Sequence, residues 1–150
     1  MALSSATIHT AIAALSVSGV SIKDLSGIPT QVTSRECPIF YPIRKTGGTS
    51  EPSTGAATFG TPTTRMWIFN RTFEYIYLHA AVGEGRGISE HYTAMSAKED
   101  SLLTAIIALD VSDVDVKMVD TTEYGVEIDP AGNQFYGFKV NITLREKVNA

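Results

Sequence analysis

The side chains of greatest chemical potential in this sequence are three histidines, one cysteine and a run of aspartates. His9, His79 and His91 fall in different predicted elements, without the HxH or HExxH spacing that brings two imidazoles to one metal. Cys37 has no second cysteine for a disulfide or a CxxC pair, and its apolar neighbours predict a small buried residue. The four aspartates between residues 110 and 120 lack the glycine and terminal glutamate of an EF-hand loop. We therefore expect no catalytic residue, no metal and no cofactor.

A glycine-rich turn, GEGRG at residues 83–87, follows a predicted strand and precedes a predicted helix. Phosphate-binding turns occupy the same place, because backbone N–H groups and the helix dipole favour an anion there. This turn has neither GxGxxG nor a GK[ST] ending, and Glu84 would repel a phosphate. We interpret it as a flexible connection and keep Glu84 and Arg86 as candidates for contact with a partner.

Hydrophobic periodicity indicates the elements that must position these residues. Helical spacing predicts helices over residues 4–17 and 89–109, the second capped by Ser89 and begun by Glu90, whose charge suits the helix dipole. Glu99 interrupts the apolar stripe of the second helix, so it should reach solvent or meet a partner, while Leu103 and Ile107 broaden the apolar face. Alternation predicts strands within residues 31–43, 66–82, 114–118, 125–128 and 136–145, with Val114, Val116 and Met118 on one face of the third. The pattern indicates one α+β domain, residues 1–150, with a mixed or antiparallel sheet of four to five strands and two helices packed on one face.

Two of these strands have distinct roles. In the first, Cys37, Ile39, Tyr41 and Ile43 are expected to share one face, with Pro38 and Pro42 at alternate positions. Proline cannot donate a ladder hydrogen bond, so part of this strand should lie at a sheet edge or leave the sheet. An edge is where another subunit can attach, or where proline prevents attachment. The strand over 66–82 is apolar on both parities, which predicts a central strand covered on each side, either by helices of the chain or by a neighbouring subunit.

Residues 45–65 hold seven Thr, four Gly, two Ser and two Pro, with Phe59 the only large apolar residue. A connection of this length without periodicity is uncommon in a compact domain. We expect a long β-hairpin arm or a flexible loop, with Thr46 and Phe59 as candidate contacts; the alternative is an insertion without function. Deleting residues 46–64 should leave a folded domain and impair assembly.

The charge and hydropathy of the chain exclude several function classes. A net charge of −4 and a pI near 5.3 argue against wrapping nucleic acid, which needs clustered Lys and Arg. The first twenty residues lack the basic region of a secretion signal, and no apolar run is long enough to cross a membrane. A reducing, aqueous compartment is expected.

The layout resembles that of the tail terminator proteins of long-tailed bacteriophages. The segments that carry the likeness are CPIFYP at 37–42, the Gly/Thr/Ser-rich loop, the aromatic strand, a second helix like 89–109, and QFYGFKVNITLREK at 134–147. The last segment has an aromatic–Gly pair and an alternating strand that carries Glu146. The resemblance covers nearly the full chain and is one of layout.

The resemblance implies a virion structural protein without enzymatic activity, assembled in the host cytoplasm. Such proteins form a ring, typically a homohexamer, that caps the tail tube and joins it to the head-side neck or connector protein. The ring encloses a channel through which DNA passes without specific binding, and no membrane is involved. The 45–65 arm and the Pro38 and Pro42 edge would contact neighbouring subunits or the tail tube. Glu84, Glu90 and Glu99 would face the channel or an adjacent protomer.

Two alternatives remain open from the residues alone. One is another phage neck or tail-completion component, such as a stopper. The other is a small-ligand-binding or enzymatic α+β domain with its pocket under the 83–87 turn. Molecular size in solution separates them, because a monomer favours the second and an oligomer favours a tail protein.

Overall fold

The computed structural model describes residues 5–52, 66–83 and 87–149. It has two α-helices and a six-stranded mixed sheet, which confirms the α+β class and gives more strands than the four to five predicted. No helix within these ranges is long and apolar enough to span a membrane. The elements, in chain order, are α1 (Ser5–Ala13), β1 (Ser21–Ile22), a 3-10 turn (Leu25–Gly27), β2 (Ile39–Pro52), β3 (Met66–Ala81), α2 (Ile88–Ile107), β4 (Val114–Thr121), β5 (Gly125–Ile128) and β6 (Gln134–Asn149).

The sheet has the order β1-β2-β3-β6-β4, and β5 also pairs with β6. Strand β1 runs parallel to β2, and every other pair is antiparallel. Because β3 occupies one side of β6 along its length, β4 and β5 follow each other on the other side. The six strands therefore fill five positions, and the two edges are formed by β1 with β2 and by β4 with β5.

The main hydrophobic core lies on the face of the sheet that carries the apolar residues of β6. Tyr136, Phe138, Val140, Ile142 and Leu144 are all buried there, which confirms the alternation expected for this strand. The same cluster includes residues of β3 and both helices: Phe73, Tyr75, Tyr77, Ile8, Ile12, Met95, Leu102 and Ile106. We call this side the helix face.

A second cluster on the opposite face covers the other parity of β3, through Ile76 and Leu78. Val32 closes this cluster from the segment before β2, and its N–H donates to Asp129 Oδ2 at 2.8 Å. Burial would raise the pKa of Asp129, but the hydrogen bonds from Val32 and Asn133 outweigh it and the pKa is lowered. Strand β3 is thus central, and its C-terminal half is covered within the chain on both faces, by the helices on one and by the segment before β2 on the other.

Two β-bulges overturn the predicted orientation of a side chain in β2 and of one in β4. A register shift between Pro42 and Arg44 places Ile43 at the irregularity, where it is 38% exposed, rather than on the face of Ile39 and Tyr41. A similar shift in β4 leaves Met118 51% exposed.

The N-cap position of α2 belongs to Gly87 and has no side-chain cap hydrogen bond, so the Ser89 cap is wrong. Ile107, expected to widen the apolar face of α2, is 66% exposed. Helix α1 ends at Ala13, four residues before the predicted limit, and β2 begins only at Ile39. Residues 45–52 of the predicted arm continue β2, and Phe59 lies outside the described residues.

Candidate interaction surfaces

The outer edge of β2 is open beyond Phe40 in the part of the chain that the structure describes. The carbonyl of Phe40 accepts from Lys23 N at 2.9 Å, so alternate residues of β2 direct their backbone groups toward β1. Two residues on, the nitrogen of Pro42 points the same way, where its missing N–H breaks no ladder hydrogen bond. The carbonyl of Pro38 accepts from Ser21 N at 3.0 Å, so β1 covers that position. The edge prediction is right for Pro42, while Pro38 is partnered within the chain.

A shallow groove of about 190 Å³ lies beside this edge on the helix face. Three of its apolar side chains remain accessible: Leu25 is 47%, Ile28 39% and Ile43 38% exposed. The remaining lining residues are Ser5, His9, Pro42 and Phe73. We call this feature the β2 groove; its largely apolar lining suits an apolar partner side chain.

A buried polar network forms the floor of the β2 groove. His9 Nδ1 lies 2.5 Å from the hydroxyl of Tyr75, and its ring packs edge-on against Phe73 at 4.6 Å. Burial and the guanidinium of Arg71 lower the pKa of His9, against a smaller opposing effect of Asp24. Burial also raises the pKa of Tyr75. His9 is therefore a neutral core residue of α1, which favours a structural role for it.

Arg71 and Glu146 form an ion pair next to His9. Arg71 Nη2 donates to Glu146 Oε1 at 2.6 Å, and Nε lies 2.5 Å from Oε2 as a charge contact without hydrogen-bond geometry. The side chains are 5% and 0% exposed, and Arg71 Nη1 also donates to Ser5 Oγ at 2.8 Å. Arg71 lies on the same face of the sheet as buried apolar residues of β3, and Glu146 on the same face as those of β6. This position in the alternation was the sequence signal that both side chains are buried. Through Arg71, the ion pair connects Ser5 at the start of α1 with β3 and β6.

Past this ion pair, the sheet continues as three strands. Ser5 is the first described residue of α1, and β4 begins opposite Glu146, yet β2, β3 and β6 go on pairing. Trp67, Ile68 and Val148 are partly exposed here and belong to neither hydrophobic cluster of the described residues. We call residues 49–52, 66–70 and 147–149 the sheet extension. Its five β3 residues span roughly 16 Å at the rise of an extended strand.

Two histidines from different predicted elements meet where β3 ends and α2 begins. The rings of His79 and His91 are 5.3 Å apart, and His79 Nδ1 is hydrogen-bonded to the hydroxyl of Tyr77 at 2.7 Å. Burial lowers the pKa of His79, helped by His91 and Lys98. The short distance in sequence between the end of β3 and the start of α2 was the signal for this proximity. Within the described ranges, no three His, Cys, Asp or Glu side chains are grouped to hold a metal.

The acidic candidates on α2 lie on its surface and beside the 122–124 connection. Glu90 is exposed in the first turn, as predicted. Glu99 is half-buried and accepts a hydrogen bond from the hydroxyl of Tyr124 at 3.1 Å, so its contact is within the chain. Burial, and then Glu99, raise the pKa of Tyr124. A polar groove between α2 and this connection includes Tyr92 and Glu99.

The β4–β5 edge carries exposed apolar side chains that the sequence did not single out. Val126 is 51% and Ile128 59% exposed. Val126 pairs with the helix-face residue Tyr136, and Ile128 has the same parity, so both lie on the helix face. Glu127 approaches Lys139 at 3.9 Å across the strands.

The five candidate contact residues that the structure describes do not form one site. Pro38, Pro42 and Thr46 lie on or beside β2, where Thr46 pairs with Thr72. Glu90 and Glu99 lie on α2, and Phe59, Glu84 and Arg86 fall outside the described residues. Neither a protein-family model nor a curated protein matches the sequence. The functional inference therefore depends on these surfaces and on the resemblance of layout.

Proposed function

We propose that this chain is a structural subunit of a bacteriophage tail that assembles into a closed, hexameric ring. The ring caps the tail tube, contacts the head-side neck protein and lets DNA pass through its lumen. The sheet extension is the observation that carries this proposal, because it places apolar side chains outside both hydrophobic clusters. The resemblance to tail terminators supports the ring, its partners and its place in the virion.

The energetics of the extension favour a covering partner. Ordering a residue costs about 1–2 kcal/mol of backbone conformational entropy, which local packing must offset. Trp67 on the helix face pairs with Val148, and Ile68 lies on the other face, so apolar groups are available on both sides. A neighbouring subunit or the end of a tube that buries these groups would gain roughly 25 cal/mol for each Å² of apolar surface removed from water. The extension would thus be stabilised by assembly.

The charge of the chain suits a conduit for DNA. Residues 110–128 hold six acidic residues and one lysine, a formal charge of −5 against −4 for the whole chain. A lumen of negative net charge repels phosphates and lacks the clustered Lys and Arg that would hold the duplex by releasing counterions. DNA would therefore slide through the ring without adhering.

Two deletions test the role of the extension. Removing residues 46–64 takes away the distal half of β2 together with the connection, whereas the matched deletion of 54–64 keeps β2 to Pro52. In the longer deletion Lys45, which pairs with Phe73, is joined to Arg65, so residues 65–72 become the connection and Arg71 leaves Glu146. We expect both variants to unfold cooperatively, since β3 stays paired with β6 from Phe73 onward, with a lower urea midpoint for the longer deletion. Only the shorter deletion should still form rings in electron micrographs and cap purified tail tubes.

Rings and tube capping at wild-type levels by the 46–64 deletion would overturn the role of the extension. A wild-type chain that stays monomeric and never binds tail tubes would overturn the proposed function itself. Specific binding of a metabolite by that monomer would favour a small-ligand-binding domain. Assembly on the head-side connector but never on tubes would indicate another neck component.

A further inference from the structure

We infer that copies of this chain associate head to tail, with the β4–β5 edge of one copy seated in the β2 groove of the next. This inference rests on the proposed self-association and specifies which surfaces make it. The two surfaces lie at opposite edges of one sheet, so each copy can engage two neighbours at once. Contacts between two different patches close into a ring when the rotation between copies permits.

The apolar side chains of the two edges are complementary in position and shape. Val126 and Ile128 project on the helix face from a short edge strand, and both are more than half exposed. The β2 groove is concave on the same face, and Ile28 and Leu25 are its accessible walls. An isoleucine side chain is of the size that a groove of about 190 Å³ can bury. Burial of such a side chain contributes as much as a typical interface anchor.

The formal charges of the two edges are opposite. Residues 110–128, which form β4, β5 and their flanks, carry −5. Residues 21–45, which include β1, the 3-10 turn, the segment before β2 and the first part of β2, hold four basic and two acidic residues, a formal charge of +2. Two copies that meet through like edges would bring equal charges together, whereas head-to-tail contact pairs opposite ones. Charge complementarity of this kind steers association and disfavours the wrong pairing.

The contact is made by side chains rather than by adding strands to a common sheet. Pro42 has no N–H to offer at the β2 edge, and a register shift follows it. The β4–β5 edge has a register shift between Val116 and Met118, and it is interrupted at residues 122–124. Prolines, bulges and edge charges are the devices by which sheets avoid indefinite edge-to-edge pairing. Docking in the groove is compatible with all of them.

Two single substitutions test the head-to-tail arrangement. Ile128→Arg alters only the β4–β5 edge, and Ile28→Arg alters only the β2 groove. Each variant alone should form no rings, and its self-association should weaken at least about tenfold, as expected for loss of an interface anchor. Mixing the two should give a one-to-one dimer that grows no further, because one intact groove meets one intact edge. Ile107→Arg is the matched control, since Ile107 is 66% exposed on α2, and it should assemble like the wild type.

Sedimentation velocity of each variant and of the mixture gives the outcome, with circular dichroism to verify folding. If Ile28→Arg fails to fold, Leu25→Arg replaces it in the same groove. Wild-type rings that both variants still form would overturn this inference and leave the proposed function standing. A wild type without any self-association would overturn both. Weaker assembly as the salt concentration rises is also expected, because screening shortens the range of the charge attraction.

Discussion

Arg71 and Glu146 face each other across β3 and β6 beneath the start of α1, with Nη2 and Oε1 2.6 Å apart and both side chains buried. Removing one partner leaves an uncompensated charge in a site that water does not reach. We expect Arg71→Met or Glu146→Leu to lower the free energy of unfolding by about 3–5 kcal/mol each. The double variant, which removes both charges, should recover most of that loss. Urea unfolding of the four proteins in a double-mutant cycle measures the coupling, and additive losses would show that the pair does not act as a unit.

Gly137 is the point of closest approach between β6 and β3. A Cβ built on residue 137 would lie 2.0 Å from the carbonyl oxygen of Tyr77, which is backbone and cannot move aside. We expect Gly137→Ala to cost about 3 kcal/mol of stability, at the upper end of overpacking effects. Gly125, its partner in the β5 pairing, has nothing within 4 Å of the same position, so Gly125→Ala is the matched control. Equal thermal midpoints for the two variants would contradict the close approach.

The stability of the fold should depend on pH through its buried histidines. The pKa of His9 and that of His79 are both lowered in the folded chain, in each case chiefly by burial. Above the ordinary value of 6.5 neither state is protonated, so these groups leave stability unchanged. As the pH falls below 6.5, the unfolded chain takes up protons that the folded chain resists, and stability declines until the folded histidines also titrate. The urea concentration at the unfolding midpoint should therefore be lower at pH 5 than at pH 7.5.

A variant with His9→Asn and His79→Gln separates this effect from the titration of carboxylates. Asparagine keeps an acceptor for the hydroxyl of Tyr75 near the position of Nδ1, and neither substituted side chain titrates. The variant should show a smaller fall over the same pH range. An undiminished fall in the double variant would mean that other groups govern acid stability.

Hydrophobic periodicity correctly predicted the stretches of strand in which no β-bulge interrupts the alternation of side chains. The alternation of β6 identified its five buried residues, and the two apolar parities of β3 identified a central strand. It failed for Ile43 and Met118, because a bulge inserts one residue and turns every later side chain to the other face. Such bulges depend on the partner strand, which local sequence does not contain.

The surfaces were less accessible to sequence reasoning than the core. Pro42 could be predicted to lie at a sheet edge because proline lacks the backbone N–H that an inner strand needs. The proximity of His79 and His91, the β2 groove and the exposure of Ile128 depend on how distant segments pack. Glu99 was expected to reach solvent or meet a partner, and its hydrogen bond to Tyr124 of the same chain could not be read from the helical stripe.

The most direct test of the central claim is negative-stain electron microscopy of the purified wild-type chain, combined with sedimentation velocity over a range of concentrations. The proposed assembly predicts closed rings with a central opening and a sedimenting species several times the 16.1 kDa of one chain. A single monomeric species at every concentration, with no rings alone or on tail tubes, would contradict it.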